Sequence, residues 1–145
     1  ANAEKYLEDY AKAGSDTIIV HYEVSKNIKS DLRNIRKLGK KAGFAFNPDT
    51  DYKLIRPFYD DLDYILIMSV FPGFGGQKFI KSTLESMEKL VHETRNHKIT
   101  LAVDGGVNLE TIDKIYETGI DVTIVGSALY GANDVKKRYF DLINE

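Results

Sequence analysis

Two stretches of this chain follow one plan. Ala13-Gly-Ser-Asp-Thr-Ile-Ile-Val20 and Thr118-Gly-Ile-Asp-Val-Thr-Ile-Val125 each close a polar, helix-like segment on a glycine, place an aspartate two residues later, and enter a β-branched run. A glycine stops a helix because it takes the left-handed backbone without the Cβ penalty. A recurring helix–glycine–aspartate–strand step is the connection of a βα repeat, and it confines the chain to parallel α/β architectures.

The rest of the sequence keeps that rhythm. Strands are predicted over residues 17–21, 43–46, 64–70, 99–103 and 122–125, all short and nearly continuously apolar. That is the pattern of strands buried on both faces of a parallel sheet. Between them lie predicted helices. Residues 4–12 precede the first strand, and 26–38 stop at Gly39. A short helix covers 52–58. Residues 83–94 start near Ser82, with Glu85 at capping-box spacing. Asn108 is placed to cap a helix over 109–117 that stops at Gly119, and 134–143 closes the chain. No linker or low-complexity run divides the sequence, so residues 1–145 read as a single domain. Five strands are too few for a closed eight-stranded barrel, which takes about 200–250 residues. The choice is therefore between an open parallel sheet and the carboxyl part of a barrel.

Composition removes several function classes. The net charge is −2, which supplies no basic face for nucleic acid. There is no cysteine, hence no disulfide framework, thiolate nucleophile or thiolate metal site. No apolar run reaches the ~18 residues of a membrane helix, and no charged-then-apolar signal pattern opens the chain. A cytoplasmic protein without membrane or nucleic-acid partners is expected.

The chemistry-bearing residues gather where the strands end. In order these ends are His21-Tyr-Glu23, Asn47-Pro-Asp-Thr50, Phe71-Pro-Gly-Phe-Gly-Gly76, Asp104-Gly-Gly106 and Gly126-Ser127. In a parallel sheet or barrel all of them fall on one face, where active sites of such folds sit. A glycine-rich turn exposes backbone N–H groups that hold an anion, and an aspartate beside it moves a proton. Gln77 and Ser69 add polar atoms to the first turn. Asp104-Gly105 is not a hairpin, because a helix rather than a second strand follows. His21 reads as a hydrogen-bonded strand-end histidine before it reads as a ligand, and His92 and His97 read as surface residues. Met68 reads as core packing or as a pocket wall. The lysines at 37, 40 and 41 read as a solvated face. Asp60, Asp61 and Asp63 read as a solvated loop leading into the next strand, without metal-ligand spacing.

Taken together, these motifs resemble the ribulose-phosphate 3-epimerase family of ribulose-phosphate-binding barrels. The likeness runs through Ala13-Gly-Ser-Asp16, His21-Tyr-Glu23, Asn47-Pro-Asp-Thr50, Met68-Ser-Val-Phe-Pro-Gly-Phe-Gly-Gly-Gln-Lys-Phe79, Val103-Asp-Gly-Gly-Val-Asn108 and Val125-Gly-Ser-Ala128. Pro72-Gly-Phe-Gly-Gly-Gln77 is the most distinctive string, and Phe71 stands where the family often has Asn. The resemblance implies an α/β fold of the (β/α)8 TIM-barrel class, here a partial barrel of about five parallel strands with alternating helices. It implies interconversion of D-ribulose 5-phosphate and D-xylulose 5-phosphate by proton transfer at C3. Asp104 would be catalytic and a metal ligand. Met68, Gly73, Phe74, Gly75, Gly76, Asp104, Gly105, Gly106, Gly126 and Ser127 would bind substrate. One divalent metal of zinc, iron, manganese or cobalt type is implied, held in the family by two His and two Asp. Of these four, this sequence carries only Asp104. The others, with a second catalytic Asp, belong to strands that in the family precede the helix at which this chain begins. The implied partners are a small sugar-phosphate substrate and further copies of the chain in a homo-oligomer. Two alternatives stand beside this reading: a half-barrel that binds phosphate without epimerising, and a relative acting on hexulose 6-phosphates.

Overall fold

The computed structural model describes residues 3–143. Five strands form one parallel sheet: β1 (Thr17–His21), β2 (Lys41–Phe46), β3 (Tyr64–Met68), β4 (Thr100–Asp104) and β5 (Val122–Ile124). Each strand pairs with the next in sequence, which is how a barrel wall is built. Among the described residues β1 and β5 do not meet, so the sheet is an open segment of wall with two edges.

Helices make the crossovers. α1 (Leu7–Lys12) precedes β1, and α2 (Ile28–Lys37) joins β1 to β2. α3 (Thr83–Thr94) joins β3 to β4, and α4 (Ile112–Glu117) joins β4 to β5. α5 (Ser127–Tyr130) and α6 (Val135–Ile143) follow β5. The β2–β3 crossover, Tyr52–Asp61, is a ten-residue 3-10 helix containing Pro57, longer than the short helix predicted over 52–58. Pro57 has no N–H to give to an α-helical ladder.

α2 ends as its sequence dictates. Asn27 accepts the Ser30 N–H at 3.1 Å, and Gly39 at φ +72° lets the Lys40 N–H reach back to the Ile35 carbonyl at 3.3 Å. Two predicted caps are corrected. Ser82 itself has helical backbone angles and makes no cap bond, so there is no capping box with Glu85; the Thr83 hydroxyl bonds the Ile80 carbonyl instead. Asn108 lies before a turn rather than at the helix start. Its side chain accepts the Glu110 N–H at 2.8 Å, and α4 begins only at Ile112. The one-turn α5 is absent from the sequence reading, being too short to show a period.

The core takes one set of side chains from each of β1 to β4. Ile18, Val20, Phe44, Phe46, Ile65, Ile67, Leu101 and Val103 are buried against Leu32 and Ile35 of α2, Met87 and Leu90 of α3, and Ile112 and Ile115 of α4. The expected burial on both faces holds for β2 and the middle of β4. It is corrected for β1, β3 and β5, where burial alternates or fails, because the helices cover one face of the sheet. The uncovered face shows Ile19 on one edge strand, and Val122 and Ile124 on the other. Among the described residues no helix is long and apolar enough to cross a membrane.

Candidate active site

β3, β4 and β5 lie side by side, so the turns that follow them share one rim. A cavity of about 350 Å³ opens there. Met68, Gly73, Phe74, Gly75, Gly76, Asp104, Gly105, Gly106, Gly126 and Ser127 all line it. The register places Met68 opposite Asp104 and Asp104 opposite Ile124, which sets the carboxylate in the middle of the three strand ends. Phe74, at the tip of the glycine loop, is 88% exposed.

The turn after β4 is built by close approach. At Gly105, φ is +114° and a Cβ would lie 2.5 Å from Val70 Cγ2 and 2.9 Å from the Val70 nitrogen. At Gly106, φ is +64° and a Cβ would lie 2.6 Å from the Phe79 nitrogen. Only glycine fits either position. The turn therefore nests against both ends of the loop that follows β3.

Two polar residues of that loop are used in its own construction. Gln77 donates through Nε2 to the carbonyls of Phe71 at 2.7 Å and Phe74 at 2.9 Å, closing the glycine loop on itself. Ser69 is wholly buried and donates its hydroxyl to the Gly105 carbonyl at 2.6 Å. The sequence marks both residues as polar but not their targets, which come from another strand end or from backbone brought back by the turn.

Asp104 is half-buried. Burial pushes its carboxyl above the ordinary aspartate value, and a hydrogen bond from the Gly105 N–H works in the opposite direction. An aspartate raised toward neutrality is better matched to giving and taking a proton.

The ends of β1 and β2 stand apart from this cavity. Glu23 accepts the Asn47 N–H at 2.7 Å and the Thr50 hydroxyl, and it bonds His21 Nδ1. Burial opposes the Glu23 charge, but those hydrogen bonds outweigh it and hold the carboxyl below its ordinary value. His21 is thus the hydrogen-bonded strand-end histidine that the sequence suggests. The five strand ends share a face, yet only three of them form the cavity. His92 is exposed, whereas His97 is half-buried, stacked edge-on against Tyr59 and 3.5 Å from Asp60.

A divalent metal needs several ligands at one point. Among the described residues no group of three or more His, Asp, Glu or Cys side chains is placed to hold one. Asp104 would supply one oxygen ligand, and the residues at hand do not complete a site.

A family model described as the ribulose-phosphate 3-epimerase family matches residues 1–130. The chain belongs to the ribulose-phosphate 3-epimerase family. Curated ribulose-phosphate 3-epimerases are similar to it along most of its length. That of Bacillus subtilis is 40% identical over 137 residues, covering 92% of this chain and 63% of that protein. That of Aquifex aeolicus is 37% identical, covering 93% and 62%, and that of Escherichia coli K12 is 39% identical, covering 92% and 60%. The chain thus spans about three-fifths of the length of these relatives. Among solved structures, 3-hexulose-6-phosphate synthase from Salmonella typhimurium superposes with a TM-score of 0.74 at 22% identity, covering 99% of this chain and 67% of that one. A tryptophan synthase α-subunit from Pyrococcus furiosus gives 0.74 at 20%, covering 99% and 61%. These likenesses show the fold: the five strands and their helices are a partial TIM barrel.

Proposed function

We propose that this chain carries the phosphate hold and one proton-transfer group of a ribulose-phosphate 3-epimerase, acting between D-ribulose 5-phosphate and D-xylulose 5-phosphate. The observation that carries the reading is the placement of Asp104 between two glycine-bearing turns, Gly73 to Gly76 and Gly126-Ser127, around one cavity. The phosphate would lie against backbone N–H groups of Gly75, Gly76, Gly106, Gly126 and Ser127. Met68, Phe74 and Gly105 would border the sugar. The C3–H of the ketose is acidic because it adjoins the ketone, and the Asp104 carboxylate would take that proton. Return of a proton from the opposite face needs a second group, and among the described residues the cavity lining offers no second carboxylate or imidazole. The same reading places the chain, as one domain, in the carboxyl part of the family's barrel. It also implies a cytoplasmic setting and an assembly of identical chains that covers the open sheet edges.

One observation favours a second reading. Among the described residues Asp104 is the only acidic or basic side chain lining the cavity. A module that holds a sugar phosphate without epimerising it fits that lining as well.

The experiment is deuterium exchange at C3 of ribulose 5-phosphate in D2O, followed by NMR together with binding. The proposal expects saturable binding that ribulose without phosphate does not show. It also expects C3 exchange that Asp104→Asn abolishes while phosphate affinity stays. Binding without exchange would leave the second reading. Absence of phosphate-dependent binding would overturn both. Hexulose 6-phosphate in the same titration decides between the pentulose and hexulose substrates.

A further inference from the structure

We propose that Ser69 is the positioning residue of this site, and that its buried hydroxyl fixes the direction of the Gly105–Gly106 peptide so that the Gly106 N–H faces the anion. The inference rests on the reading above, that the cavity holds a phosphate.

Ser69 is 0% exposed and lies just beyond the end of β3. Its own N–H donates to the Asp104 carbonyl at 2.8 Å, and its carbonyl accepts the Ile80 N–H at 2.9 Å. Its hydroxyl donates to the Gly105 carbonyl at 2.6 Å, with the Asp104 carbonyl 3.0 Å away. One residue therefore grips two successive peptide units of the neighbouring turn. In a planar trans peptide the C=O and N–H point in opposite directions. Holding the Asp104 carbonyl turns the Gly105 N–H the other way, where it bonds the Asp104 carboxylate. Holding the Gly105 carbonyl turns the Gly106 N–H away from Ser69. Among the described residues no protein group accepts from that N–H, and Gly106 lines the cavity.

A specific hold is needed because of the two glycines. Val70 and Phe79 forbid a Cβ at 105 and 106, but among the described residues neither makes a backbone hydrogen bond to the peptide between them. With no Cβ on either side, the torsions of the two glycines do not by themselves fix the direction of that peptide. Reversed, it would present a carbonyl oxygen to the anion in place of an N–H. Among the described residues, the Ser69 hydroxyl is the donor that holds the Gly105 carbonyl.

The test titrates inorganic phosphate into the 145-residue chain and reads affinity and the Gly106, Gly126 and Ser127 amide resonances. Ser69→Ala should weaken phosphate binding about tenfold and remove the phosphate response of the Gly106 amide, while Gly126 and Ser127 still respond. Ser69→Thr keeps the hydroxyl and should restore both readouts. Should the alanine variant unfold, Ser69→Cys fills the same volume with a poor donor and carries the same expectation. If Ser69 only packs the two loops together, the variants melt earlier but bind phosphate and shift Gly106 as the parent does, and that result overturns the proposal. Failure of the parent chain to bind phosphate overturns the functional reading instead, and the inference with it.

Discussion

Asp121 donates its backbone N–H to the Leu101 carbonyl at 3.0 Å and accepts the Leu101 N–H through Oδ2 at 2.7 Å. Asp63 does the same with Ala42, at 2.8 Å in both directions. In each case an aspartate just before a strand clips that strand to its neighbour, and a charged acceptor strengthens the bond. Asp121→Ala leaves the Leu101 N–H without its partner in a part-buried setting. We expect a loss of roughly 1–3 kcal/mol in urea unfolding, and a similar loss for Asp63→Ala. Unchanged midpoints would show that water replaces the carboxylates at no cost.

Three glycines at the cavity separate fold from function. Gly106→Ala drives a Cβ to 2.6 Å from the Phe79 backbone nitrogen at φ +64°. It should cost about 2 kcal/mol or more. Gly105→Ala meets Val70 and should behave alike. At Gly126 a Cβ meets nothing within 4 Å, and φ is −100°. Gly126→Ala should cost less than either, because no atom stands where its Cβ would go. Thermal melts of the three variants check the contrast, and equal losses would refute it.

Glu93 ties α3 to the Tyr52–Asp61 segment. Arg56 bonds both of its oxygens, one of them at 2.8 Å, and the Tyr59 hydroxyl donates at 3.0 Å. The Arg56 guanidinium is the main reason that the Glu93 carboxyl lies below its ordinary value of 4.5. A folded value below the unfolded one means stability that is present above the unfolded value and lost as pH falls through the folded one. Glu93→Gln should therefore be less stable than the parent at neutral pH, with the gap closing as pH falls below the ordinary value of 4.5 and through the lower folded one. A gap that persists in acid would assign the loss to packing instead of charge.

For Asp104 the sign reverses. Burial raises its folded value, so the ionised form costs stability at neutral pH and the cost disappears once the group is protonated in acid. Asp104→Asn should melt higher than the parent at neutral pH, and the advantage should shrink as pH drops through the carboxylate range. An asparagine variant that is less stable at neutral pH would contradict a carboxylate held at a cost. Such a trade of stability for an ionised group is what a proton-transfer site requires.

Much of this was legible in the residues. The glycine–aspartate steps at 14–16 and 119–121 announce βα repeats, and Gly14 and Gly119 do adopt positive φ, at +97° and +81°. The helix over 83–94 has its expected bounds without its predicted cap, because burial of Met87, Leu90 and Thr94 along one face holds it where one serine does not. Asn108 misled because an asparagine caps a turn as readily as a helix, and the choice depends on Thr111 and Gly106 nearby.

By itself, the sequence determined the parallel α/β class, the turns that need glycine, and the residues gathered at the strand ends, since these follow from local backbone preference and hydrophobic period. The tertiary structure decided which face of the sheet is covered and which three of the five strand ends share a cavity. It also decided that Ser69 and Gln77 serve the loops before any ligand. The Ser69 contacts with Asp104 and Gly105 cross 35 and 36 residues of chain, and they exist only once pairing of β3 with β4 has fixed the register. Gln77 reaches carbonyls only 6 and 3 residues away, but the turn that brings them back is not visible as a pattern of residue types.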